Sequence, residues 1–178
     1  MRYIALLRGI NISGKNKITM SDLKTGFIDL GFSNVVTLLN SGNVAFSSEL
    51  NNEDSFSKII RNMIEQKFSL NIPMFVINQM KIKNILENAP LWWGTENSDI
   101  YDNLIFVIPP AQADEVSEKI GEPTKNMEQV HTYENYIFWS FDRKNYSKLN
   151  WWKKTSTVGI TEMLTIRTAN TVKKLVKL

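Results

Sequence analysis

Residues 1–48 read MRYIALLRGINISGKNKITMSDLKTGFIDLGFSNVVTLLNSGNVAFSS, and the apolar spacing changes twice within them. Tyr3-Ile4-Ala5-Leu6-Leu7 is a short apolar run between two arginines, which predicts a buried strand over Arg2 to Arg8. A polar loop follows, Gly9 to Ile18. Thr19 then has the position of a helix N-cap, with Asp22 three residues on as a capping box. Met20, Leu23, Phe27 and Leu30 recur at helical spacing, and Gly31 suits the left-handed residue that ends such a helix. Val35 to Leu39 and Val44 to Phe46 return to strand spacing. Asn40-Ser41-Gly42-Asn43 between them is hairpin chemistry.

Beyond this stretch, Phe56, Ile59, Ile60, Met63, Ile64 and Phe68 form the stripe of a second helix, and Pro73 to Ile77 reads as a strand. The order is β-α-β-β-α-β. A short helix from Met80 to Asn88 and a connector from Pro90 to Ser98 come next. The order then recurs more faintly: a strand at Leu104 to Ile108, a helix opened by Pro109-Pro110 from Ala111 to Ile120, and a hairpin of Gln129 to Thr132 with Tyr136 to Phe141. A helical stretch from Tyr146 to Trp152, a strand from Leu164 to Ile166 and a helix capped by Asn170 complete it. The expected fold class is α+β, a duplicated ferredoxin-like β-α-β-β-α-β sandwich whose second copy carries a C-terminal helical extension. The expected divisions are 1–78, a connector over 79–99, and 100–178.

Composition narrows the chemistry. The chain has 178 residues, no cysteine and one histidine. Disulfides, zinc–thiolate sites, iron–sulfur clusters and cysteine nucleophiles are excluded, and no metal or cofactor is expected. No apolar run approaches the ~18 residues of a membrane span, and Ile4 to Leu7 is too short for a secretory core, so a cytoplasmic location is expected. Net charge is +3 and uneven. Pro90 to Asp142 holds two basic and ten acidic residues, whereas Arg143 to Leu178 holds nine basic and one acidic. A basic tail attracts phosphates or an acidic partner, or simply neutralises the acidic segment before it.

Antiparallel pairing of the first and third strands would bring Arg8-Gly9-Ile10-Asn11 beside Ser41-Gly42-Asn43, with Lys15 and Lys17 in the same loop and a helix N-terminus at the same edge. This rim is the candidate site for an anionic small molecule. Turn-making by Gly42 and backbone capping by Asn11 and Asn43 account for the same residues without function. Gly9-Ile-Asn-Ile-Ser-Gly14-Lys15-Asn16 falls one residue short of a phosphate loop: Asn16 lacks the magnesium-holding hydroxyl, and the helix begins too late. Ser41 lacks a nucleophile-elbow context, and His131 is its only histidine partner. Nucleic acid is the second partner class, through the basic C-terminal segment with Trp151 or Trp152 stacking on bases. Phe46 on the third strand reads as a core residue, Trp92-Trp93 and Trp151-Trp152 are the better exposed aromatics, and one ring of each pair packs inward. A metal-independent enzyme of unassigned reaction, using the rim as an oxyanion or phosphate site, is the third reading, and no histidine or paired carboxylates at the rim supply a general base.

Leu6-Leu7-Arg8-Gly9-Ile10-Asn11-Ile12, Gly14-Lys15, the Met20/Leu23 helix and Ser41-Gly42-Asn43-Val44 together resemble the opening signature of a bacterial family, domain of unknown function family 1697. Ser147-Lys148-Leu149 and Thr165-Ile166-Arg167-Thr168-Ala169-Asn170-Thr171-Val172 are similar to its closing motifs. The resemblance implies the duplicated ferredoxin-like fold and no activity. The chain departs from the pattern at Asn40, where glutamine is usual, at Leu38-Leu39, and at Thr168-Ala169, which replaces an asparagine–tryptophan pair. The ligand-binding candidates are Arg8, Asn11, Lys15, Ser41, Asn43, Lys148, Arg167 and Asn170. Arg8 would serve as a bidentate fork and the two asparagine amides would orient the ligand.

Overall fold

The computed structural model describes residues 1–50 and 52–178. The chain divides into two compact units. The first comprises Met1–Lys83 with Leu175–Leu178, and the second Asn84–Lys174. The division falls inside the segment expected as a connector, and the last four residues belong with the first unit.

In the first unit, β1 (Arg2–Leu7), α1 (Met20–Asp29), β2 (Ser33–Leu38), β3 (Asn43–Ser47), α2 (Glu53–Phe68) and β4 (Met74–Asn78) follow one another, with α3 (Gln79–Glu87) after them. The four strands form one antiparallel sheet in the order β2-β3-β1-β4. Strand alternation sends Tyr3, Ala5 and Leu7 to the helix side, where they join Val44, Phe46, Phe27, Phe56, Ile60 and Ile64 in one core. Caps set the helix starts. The Thr19 hydroxyl accepts the Asp22 N–H (3.1 Å), and Asn52 Oδ1 accepts the Ser55 N–H (3.0 Å).

The second unit repeats the arrangement with β5 (Ile100–Val107), α4 (Ala113–Ile120), β6 (Glu128–Tyr133), β7 (Tyr136–Asp142), a 3₁₀ turn (Arg143–Lys148), α5 (Asn150–Lys154) and β8 (Leu164–Thr168), ending in α6 (Ala169–Leu175). Its sheet order, β6-β7-β5-β8, is that of the first sheet position for position. The chain is thus α+β, with two similar β-α-β-β-α-β units. Ile105, Val107, Val116, Ile137, Trp139, Trp151 and Leu164 form its helix-side core.

Two expectations need correction. β5 starts at Ile100, four residues before the apolar run, because the buried Asp102 carboxylate accepts the hydroxyl of Ser140, its cross-strand partner. A polar residue paired in this way sits inside a sheet without looking like strand sequence. The C-terminal helix begins at Ala169, so Asn170 is inside it. The capping oxygen is Thr168 Oγ1, 3.4 Å from the Thr171 N. The sheet faces turned away from the helices are buried as well. Ile4, Leu6 and Ala45 in the first unit, and Leu104, Phe106 and Phe138 in the second, are inaccessible, and Phe46 lies in the core. These strands offer no aromatic platform for bases.

Candidate functional site

The rim is built from β1 and β3. Leu6 pairs with Asn43, the Leu7 N–H donates to the Gly42 carbonyl (2.8 Å), and the Arg8 N–H donates to the Pro73 carbonyl (2.8 Å). The loop beyond is tightly wound: Gly9, Asn11, Ser13, Gly14 and Asn16 all have positive φ. Asn11 ties it together. Its Nδ2 donates to the carbonyls of Ile18 (2.8 Å) and Asn40 (3.1 Å), and its Oδ1 accepts the Ile18 N–H (2.9 Å). Asn43 is fully buried, and its Nδ2 donates to the Leu38 carbonyl (2.9 Å) and to Ser41 Oγ (3.0 Å). The amides expected to orient a ligand therefore hold two turns in shape, as Asn side chains do where the backbone leaves regular structure.

Arg8 is half-buried and engaged by the protein itself, and burial holds its guanidinium at about 10, below the usual value. Lys15 is exposed in the loop, and Ser41 is exposed at the turn. The other three candidates belong to the second unit. Lys148 is exposed on the 3₁₀ turn, and Asn170 is exposed on α6. Arg167 is 8% exposed, with Nη1 donating to Thr165 Oγ1 (2.9 Å) and the Ile166 carbonyl (2.8 Å) on its own strand.

Two clefts border these residues. At the rim of the first unit a cleft of about 520 Å³ is lined by Asn11, Lys17, Thr19, Asp22, Asn40 and Phe68, among others. It opens at the start of α1, whose positive dipole end is already faced by Asp22, itself an acceptor from the Thr19 hydroxyl (2.6 Å). In the second unit a polar cleft of about 670 Å³ is lined by Tyr101, Asp102, Arg143, Asn170 and Lys173, with neighbours from Thr95 to Ser98. There the Arg143 guanidinium sits 4.7 Å over the Tyr101 ring, and Lys173 Nζ donates to the Gly94 carbonyl (2.6 Å). Among the described residues no group of three or more His, Asp or Glu side chains could hold a metal ion, and no helix is long and apolar enough to cross a membrane.

Residues 1–138 match the family model described as "Protein of unknown function (DUF1697)". The chain belongs to this family. Among solved structures, the DUF1697 chain is similar to the conserved bacterial protein SP0830 from Streptococcus pneumoniae. The two are 26% identical, with a TM-score of 0.85 over 99% of this chain and 97% of that one. A comparison with curated proteins finds no match.

Sequence reasoning put the rim of this DUF1697 chain at the right strand ends but missed part of the cleft. Phe68 read as the last residue of a core stripe, yet it is only partly buried and lines the opening. Asn40 registered only as a departure from the family pattern. Arg143, Tyr101 and Lys173 gave no signal as a group, because they lie on β5, the 3₁₀ turn and α6, far apart in sequence. Of the tryptophan pairs, Trp93 and Trp151 are buried. Trp93 donates its indole N–H to the Asn103 carbonyl (2.7 Å), and Trp152 stays exposed.

Proposed function

We propose that this chain is a cytoplasmic protein of duplicated ferredoxin-like architecture that binds a small anionic ligand at the rim of its first unit. The repeated strand order supports the architecture. The observation that carries the function is the 520 Å³ rim cleft, where a lysine, a carboxylate, two carboxamide-bearing residues and an aromatic ring border one opening. Lys17 replaces Arg8 as the cation for the ligand's anionic group, since Lys17 borders the cleft. Asp22 favours a ligand that also carries hydroxyl or ammonium donors, and Met20 and Phe68 favour one with an apolar portion. A phosphorylated or carboxylated metabolite has this chemistry.

The test is a thermal-shift screen with inorganic phosphate, nucleotides and phosphorylated sugars. A ligand of this site raises Tm in the wild type, and Lys17→Ala removes most of the rise. Asp22→Asn should strengthen binding of a purely anionic ligand by about fivefold, since it removes a like charge worth roughly 1 kcal/mol near the site. A ligand whose shift is unchanged in both variants binds elsewhere and ends the proposal.

A further inference from the structure

A second surface is independent of the rim. Residues 143–154 contain Arg143, Lys144, Lys148, Lys153 and Lys154 and no carboxylate. All five cations are exposed, and among the described residues only Lys144 forms an ion pair, with Asp99 at 3.5 Å. Two aromatic rings stand among them: Tyr146 is 49% exposed and Trp152 43%. Their centroids are 5.1 Å apart in an edge-to-face arrangement, and Trp152 also leans on Phe141 at 5.6 Å.

The exposure is built in. Trp151 is buried and donates its indole N–H to the Gly121 carbonyl (2.9 Å), while the buried Glu128 carboxylate accepts the N–H groups of Asn150 and Trp151 at the start of α5. Adjacent helical residues point about 100° apart, so anchoring Trp151 inward turns Trp152 outward. The ring is held by its edge contacts and keeps part of its surface in water.

We propose that this surface binds single-stranded nucleic acid, with the cations following the phosphodiester backbone and Trp152 and Tyr146 stacking on unpaired bases. Unstacked bases are the partner that uses both features at once. A duplex would engage the cations and leave the rings idle. A membrane surface needs a broader apolar face than this segment exposes, because Leu149 and Trp151 point into the core.

The experiment is fluorescence anisotropy of a labelled short oligothymidylate with the full chain, across salt concentrations. Four cations outside ion pairs predict a slope of log K against log salt of about −3, so affinity falls about fifty-fold between 50 mM and 200 mM salt. Trp152→Ala weakens binding about tenfold, Trp152→Phe restores most of it, and Lys148→Glu with Lys153→Glu and Lys154→Glu abolishes it. Near-UV circular dichroism checks the fold of each variant. The proposal is overturned by no binding at low salt, by equal affinity for the matching duplex, or by affinity unaffected by Trp152→Ala. It is equally overturned if anionic vesicles co-float with the protein while the oligonucleotide does not bind.

Discussion

Gly42 shows how one residue sets the rim. Its φ is +76°, and a Cβ there would lie 2.7 Å from Leu7 Cβ and 3.0 Å from Ile10 Cδ1. Both the backbone conformation and the space exclude a side chain, so Gly42→Ala should lower unfolding stability by about 3 kcal/mol in urea titration. Gly26 is the contrast. A Cβ there would meet Met63 Sδ at 2.5 Å, but that contact is the end of a flexible side chain, and alanine is the better helix former. Gly26→Ala should therefore change stability by no more than about 1 kcal/mol. An equal loss at the two glycines would contradict this account. Asn11 and Asn43 belong to the same scale: a short amide that satisfies a turn's backbone looks, in sequence, like an amide that awaits a ligand.

The starts of α4 and α5 in the second unit are finished by distant side chains. Gln112 makes no capping bond to α4. Asn135 of the β6–β7 hairpin does, accepting the Ala113 N–H (2.7 Å) and donating to the Ala111 carbonyl (3.2 Å). Glu128 in β6 serves α5 in the same way and also accepts the Trp139 indole N–H (3.2 Å) and the Thr124 N–H (2.8 Å). Glu128→Ala leaves several buried donors without partners and should cost about 3–5 kcal/mol in chemical denaturation, whereas Glu128→Gln should cost clearly less. Asp142 caps the 3₁₀ turn locally. The Lys144 N–H and then the Asn145 amide hold its carboxyl below the ordinary carboxylate value of 3.8. A depressed carboxylate contributes stability that is complete above its unfolded value and is lost as pH falls through the folded one. Acidification below about pH 4 should therefore loosen residues 143–148, seen as a lower protection of the Lys144 amide relative to its intrinsic exchange rate at the same pH, and Asp142→Asn should remove that pH dependence.

At the level of the whole molecule, chain order and spatial grouping part company. The acidic stretch 90–142 and most of the basic stretch after it fold into the same unit, where ion pairs such as Lys119–Glu115 and Lys144–Asp99 form. The last residues join the first unit instead. Leu175 is fully buried, and its carbonyl accepts from Gln79 Nε2 at 2.9 Å. Leu175→Ala should destabilise by about 2–5 kcal/mol, and hydrogen exchange should report the loss in the first unit. Protection lost in the second unit alone would refute that grouping.

Element order, the meeting of the β1 and β3 ends, the helix start at Thr19 and the inward packing of one ring in each tryptophan pair were legible from the residues alone, whereas which ring turns inward was not. They depend on periodicity and on side chains acting within a few positions of themselves. The early start of β5, the cap on α4, the Glu128 hub, the clefts and the return of Leu175 emerged only with the tertiary structure. Each is a contact between residues distant in the chain, and a buried polar group is recognised only when its partner is seen beside it.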